Sequence, residues 1–196
     1  NVFAVADNGQ FVGVYTTNPG ESIYGWFTVS PGAKYRIETK RFAGGEQFHY
    51  DLALKYTKIE DAFEPNDKRE DAKPITVGTP IKASAAAHSP NGADLPAGAD
   101  DDWYKVTLAA GTATVKVTTV PVDHMCDVTV FDSGNQSVGE NYQTTPGADC
   151  TLNLTNLAGG EYRIVHHRFA GRPDHGAAGQ NVPEYVTKQY TLTVTQ

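Results

Sequence analysis

The segment Tyr35-Arg36-Ile37 followed by Arg41-Phe42-Ala43-Gly44 returns, with identical spacing, as Tyr162-Arg163-Ile164 followed by Arg168-Phe169-Ala170-Gly171. Upstream, Thr16-Thr17-Asn18-Pro19-Gly20 is echoed by Thr144-Thr145-Pro146-Gly147, and Val5-Ala6-Asp7-Asn8-Gly9 by Val130-Phe131-Asp132-Ser133-Gly134. Downstream, Tyr50-Asp51-Leu52-Ala53-Leu54 matches Tyr190-Thr191-Leu192-Thr193-Val194. Matches recurring in one order mark an internal duplication, so the chain is expected to fold as two copies of one unit. The copies are unequal. Asn1 aligns with about Asp127, and the strands expected ahead of Asp127 have no counterpart in the first copy.

Each copy reads as a run of strands. An alternating strand enters an Asp-Asn-Gly or Asp-Ser-Gly turn, a second follows, and a third begins after Ser30-Pro31-Gly32 or Ala158-Gly159-Gly160. Residues 50–56 and 190–195 alternate apolar and polar side chains and are expected to close their modules. The second copy adds a strand over 72–82, an Ala/Gly/Pro/Asp-rich loop over 83–101, strands over 103–108 and 112–120, and a polar insertion between Gly171 and Gln189. With 19 Gly and 11 Pro and little helical periodicity, the chain is expected to be all-β. The expected architecture is antiparallel, jelly-roll-like β-sandwich modules in tandem: a partial module at 1–57 and a complete one at 58–196. A half sandwich leaves its core and sheet edges open, so another part of the chain or another polypeptide is expected to cover the first.

The formal charge of -7 argues against nucleic-acid binding, because no basic stripe exists to neutralise phosphates. No apolar run reaches the roughly 18 to 20 residues of a membrane-spanning helix. The chain begins at Asn1 without an initiator Met, so loss of a leader or a longer upstream region is expected. Cys126 and Cys150 lie in apolar or alternating stretches, without zinc-site spacing, as buried thiols or as a disulfide between neighbouring strands. Export favours the disulfide.

Excess acid concentrates in two windows, 60–71 and 94–102. In order, Glu64-Pro65-Asn66-Asp67, Ala72-Lys73-Pro74-Ile75, Asp101-Asp102-Trp103-Tyr104-Lys105-Val106, Asp127 to Gly134, Gly160 to Ile164 and Tyr190 to Val194 resemble the motifs of the bacterial pre-peptidase C-terminal (PPC) domain. That family includes the collagen-binding domains of clostridial collagenases. The resemblance covers about residues 60–196, and the repeat extends its latter half to 1–56. It implies a β-sandwich beside a secreted peptidase and a calcium site at Glu64, Asn66, Asp67 and Asp102. Some calcium-binding relatives carry a further acid two residues before the first Glu, where this chain has Ala62 with Glu60 and Asp61 close by.

Calcium takes six to eight oxygen ligands, which Glu64, Asn66 and Asp67 on one loop with Asp101 or Asp102 on another can supply. The same residues could instead cap turns and strand starts. Zinc is not expected at His166-His167, because neighbours on a strand point to opposite faces. No Gly-x-Ser-x-Gly elbow or Cys–His pattern marks a nucleophile, so no catalytic residue and no enzymatic activity are expected. Phe42 and Phe169 lie close to where collagen-binding relatives carry a ligand-contacting tyrosine, although their recurrence also suits a packing corner. Trp26 and Trp103 are expected in the core. Together these features describe a non-catalytic, calcium-assisted binding or spacer appendage of a larger secreted protein such as a peptidase, placed in the periplasm, on the cell surface or in the medium. Its expected partner is a protein or extracellular-matrix ligand, or the upstream remainder of its own precursor. The alternative is a self-contained adhesion or matrix protein that assembles by strand complementation between chains.

Overall fold

The computed structural model describes residues 1–9, 11–15, 21–25, 27, 29, 32–40, 49–57, 61–85, 101–167 and 184–196. They fall into two compact units, one formed by described residues up to 57 and one by those from 61 onward. Phe42, Phe169 and Trp26 lie outside the described residues.

In the first unit, β1 (Val2–Ala6) is the centre of a three-stranded antiparallel sheet, between β2 (Phe11–Tyr15) and β3 (Tyr35–Thr39). Buried Ala4 and Ala6 pack with half-buried Phe27, Tyr35 and Ile37. The strand expected at 50–56 does not form. Tyr50, Leu52, Leu54 and Tyr56 keep their alternation but are exposed, Leu54 at 71 % and Tyr56 at 74 %. A lone strand gains no ladder hydrogen bonds.

The second unit is an antiparallel β-sandwich with one parallel pair. Its strands are β4 (Lys73–Pro74), β5 (Ile81–Ser84), β6 (Asp102–Leu108), β7 (Gly111–Thr118), β8 (Asp127–Phe131), β9 (Ser137–Tyr142), β10 (Cys150–Leu157), β11 (Gly160–His166) and, after the short helix α1 (Glu184–Thr187), β12 (Gln189–Thr195). One sheet runs β10-β7-β12-β5, the other β4-β6-β11-β8-β9. Period-two alternation sends Tyr104, Val106 and Leu108 of β6, and Tyr190, Leu192 and Val194 of β12, into the shared core. The same alternation turns Trp103 to the other face. There it is half-buried and stacked on Phe131 at 5.7 Å, with the Arg69 guanidinium 5.6 Å from the Phe131 ring, so its expected core position is corrected.

The stretch 72–82 is two strands rather than one. β4 pairs parallel with β6, and the chain then crosses to the other sheet, where β5 pairs with β12. Gly78, at φ +79°, makes the turn between them, its N–H donating to the Val194 carbonyl at 2.7 Å.

The duplication is visible in the strand order, since β2-β1-β3 repeats β9-β8-β11. Its register corrects the sequence alignment by one residue. Ala4 lies opposite Ile37 as Val130 lies opposite Ile164. The turn residue equivalent to Gly9 is therefore Asn135 and not Gly134. Both Gly9 (φ +85°) and Asn135 (φ +67°) take the left-handed conformation, and their N–H groups donate to Ala6 and Asp132 carbonyls at 2.9 and 3.1 Å.

Candidate metal centre

The loop before β4 carries Asp61, Glu64 and Asn66, and its backbone is tied to the sandwich at two points. Asp61 accepts N–H groups from Phe63 (2.8 Å, Oδ1) and from Ser84 of β5 (2.5 Å, Oδ2). The Asn66 carbonyl accepts the Trp103 N–H of β6 at 2.9 Å. These bonds carry the loop across the start of β6, where the inward phase of the strand has already buried Asp102. As a result, one oxygen from each of Asp61, Glu64 and Asp102 lies within 4.8 Å of the others.

Such a group is electrostatically costly. Desolvation, followed by the charges of Asp67 and Asp61, pushes the Glu64 carboxyl up to about 8 from an ordinary 4.5. Desolvation also raises Asp102 well above the ordinary carboxylate range, opposed by the Tyr190 hydroxyl, which donates to its Oδ2 at 2.6 Å. Tyr190 in turn shares a 2.7 Å hydrogen bond with the Tyr104 hydroxyl. Asn66 is wholly buried, yet neither atom of its amide completes a hydrogen bond among the described residues, and Glu64 Oε1 is equally unmatched. Buried polar atoms without partners are rare, and several beside three converging carboxylates fit a cation-binding cradle. The donors are all hard oxygens, the set that calcium takes.

Of the residues expected to bind metal, Glu64, Asn66 and Asp102 meet here, with Asp67 close enough to act on Glu64. Asp101 faces elsewhere. Its Oδ1 lies 3.1 Å from His167 Nδ1, an interaction that raises the His167 pKa chiefly through that hydrogen bond. Asp61, noted in the sequence as an acid close to Ala62, takes its place in the cluster, held there by the Ser84 N–H of β5.

A second polar site lies under the turn that follows β7. His124 and His166 are fully buried, with their Nε2 atoms 3.4 Å apart and ring centroids at 5.0 Å. His166 leaves the strand end opposite in phase to His167, as adjacent residues must. Its pKa is held well below the ordinary value by burial and then by His124. The turn bearing His124 is fastened by the Cys126–Cys150 disulfide. It is also held by Asp123, which accepts the Glu184 and Tyr185 N–H groups at 2.6 and 3.0 Å. The two histidines stand 42 residues apart in sequence.

No protein-family model matches the chain, and no curated protein matches it at a significant level. Among solved structures, the pre-peptidase C-terminal domain of a collagenase from Bacillus anthracis aligns at 13 % identity and a TM-score of 0.39, over 63 % of this chain and 94 % of that one. CorA, a surface-associated copper-binding protein of Methylomicrobium album BG8, aligns at 12 % identity and a TM-score of 0.37, over 63 % of this chain and 98 % of that one.

Proposed function

We propose that the chain is a non-catalytic, calcium-stabilised β-sandwich appendage of an exported protein, with calcium held by Asp61, Glu64, Asn66 and Asp102 and assisted by Asp67. The observation that carries this reading is the convergence of Asp61, Glu64 and Asp102 around the buried, unmatched Asn66 amide. Calcium supplies the positive charge that these carboxylates need in order to ionise together, and it joins the loop before β4 to the start of β6. The Cys126–Cys150 disulfide supports an oxidising, extracytoplasmic location. Among the described residues, no helix is long and apolar enough to cross a membrane. The motif resemblance to PPC domains supports a place beside a secreted peptidase and a protein or matrix ligand.

Thermal melting in excess calcium and in excess chelator tests this reading. Calcium should raise the midpoint of the native chain and leave a Glu64→Gln, Asp102→Asn variant unmoved. An unchanged midpoint in the native chain would count against the site. A second reading, assembly by strand complementation, is favoured by the exposed alternation of Tyr50, Leu52, Leu54 and Tyr56. Dimers or fibres on sizing, lost when Leu52 and Leu54 become Ser, would support it over the appendage.

A further inference from the structure

Tyr50, Leu52, Leu54 and Tyr56 are 60, 50, 71 and 74 % exposed, and Asp51, Ala53 and Lys55 between them are exposed as well. Single apolar residues on a surface are ordinary, but four at alternate positions of one short segment form a patch, and patches mark contact surfaces. Among the described residues the segment joins no strand ladder, so its backbone groups are not committed to a sheet. Its start is fixed beside β3, where the Tyr50 hydroxyl shares a 2.9 Å hydrogen bond with Thr39 Oγ1.

The order of the side chains is palindromic about Ala53. Reading outward, Leu52 answers Leu54, Asp51 answers Lys55 and Tyr50 answers Tyr56. Two copies of the segment laid antiparallel, Ala53 opposite Ala53, therefore set Leu52 against Leu54, Asp51 against Lys55 and Tyr50 against Tyr56 on both sides of the centre. Directly opposed side chains share a face, so one face of the ribbon carries the Tyr and Leu pairs and the other carries two pairs of opposite charge. A slip of two residues sets Asp51 against Ala53 or Thr57 and Lys55 against His49 or Ala53, and both ion pairs are lost. Parallel in-register pairing sets Asp51 beside Asp51 and Lys55 beside Lys55, and like charges in that position destabilise a sheet. The residues thus select one direction and one register. A twofold contact of this kind uses the same patch on both copies and closes, giving dimers rather than fibres.

We propose, resting on the assembly reading above, that residues 50–56 dimerise the chain by antiparallel pairing with the same segment of a second copy, on a twofold axis through Ala53. The segment is shorter than the roughly 20 to 30 residues a side of a standard interface, so the dimer is weak and reversible, with a dissociation constant on the order of 10 to 100 µM.

Sedimentation equilibrium of the full chain with its disulfide intact tests this, in about 0.15 M salt, where repulsion between two chains of charge -7 is screened beyond about 8 Å. The native chain should fit a monomer–dimer equilibrium. Asp51→Lys and Lys55→Asp each place like charges opposite one another and should each weaken dimerisation by about tenfold or more. An equimolar mixture of these two variants restores opposite charges at both pairs and should recover dimers, as should the double variant Asp51→Lys, Lys55→Asp. Both positions are exposed, so the circular dichroism of every variant should match the native chain. A monomer at every concentration up to about 1 mM would overturn the proposal and the assembly reading together. Dimers indifferent to the single charge changes, dimers not recovered by mixing or by the double variant, or growth beyond the dimer would overturn the proposal and leave assembly through another surface standing. Calcium-dependent melting is independent of all these outcomes.

Discussion

Glu64 concentrates the electrostatic problem of the acidic cluster into one measurable quantity. Its folded-state pKa of about 8 lies above the ordinary 4.5, so the folded protein binds this proton more tightly than the unfolded chain does. The stability that this contributes is complete below about pH 4.5 and is lost as pH rises through 8. Asp102 acts in the same direction. In chelator, the melting midpoint should therefore fall between pH 5 and pH 8, and Glu64→Gln should flatten the fall. Calcium should reverse the trend and release protons on binding at neutral pH, which calorimetry in buffers of different ionisation enthalpy measures. Alternation along β6 fixes which residues take part, since Asp102 enters the core side whereas Trp103 is sent to the Phe131 stack.

The turns at the end of the sandwich that carries the histidine pair are held by a few specific constraints. The disulfide joins Cys126, beside β8, to Cys150 at the start of β10, across 24 residues of sequence. Closing a loop of that length is worth about 3.5 kcal/mol, so a Cys126→Ala, Cys150→Ala variant should lose about that much stability in urea titrations. Gly147 makes a separate contribution. It adopts φ +78°, and a Cβ there would stand 3.0 Å from the Val122 backbone. Gly147→Ala combines an unfavourable conformation with this contact and should cost about 1 to 3 kcal/mol by the same titration. The turn between β8 and β9 uses a different residue for the same purpose, with Asn135 in the left-handed position and Asp132 Oδ1 accepting the Gln136 N–H at 2.8 Å.

At the scale of the whole molecule, the two units differ in what they can bury. The second closes a core between two sheets, whereas the first has one three-stranded sheet and a small apolar cluster among the described residues. A chain of residues 58–196 alone should melt cooperatively and keep its calcium response. A chain of residues 1–57 alone should show no cooperative transition by circular dichroism. The duplication, the all-β class, most strands and the acidic loop were legible in the sequence, because strand alternation and turn chemistry are local properties. Local pattern misled where a strand needed neighbours, as at 50–56, and where one residue of register decided whether Gly134 or Asn135 took the turn. Glu64 was expected beside Asp102 and is found there, but spacing did not show that Asp61 joins them or that Asp101 turns to His167 instead. Asp61 joins the carboxylates because β5 holds it, and His124 meets His166 because the turn after β7 crosses the end of β11. The sequence by itself determined the types of side chain and the face of each strand they occupy. Only the tertiary structure decided which charged and polar groups share a buried space, because that depends on how strands far apart in sequence pair and stack.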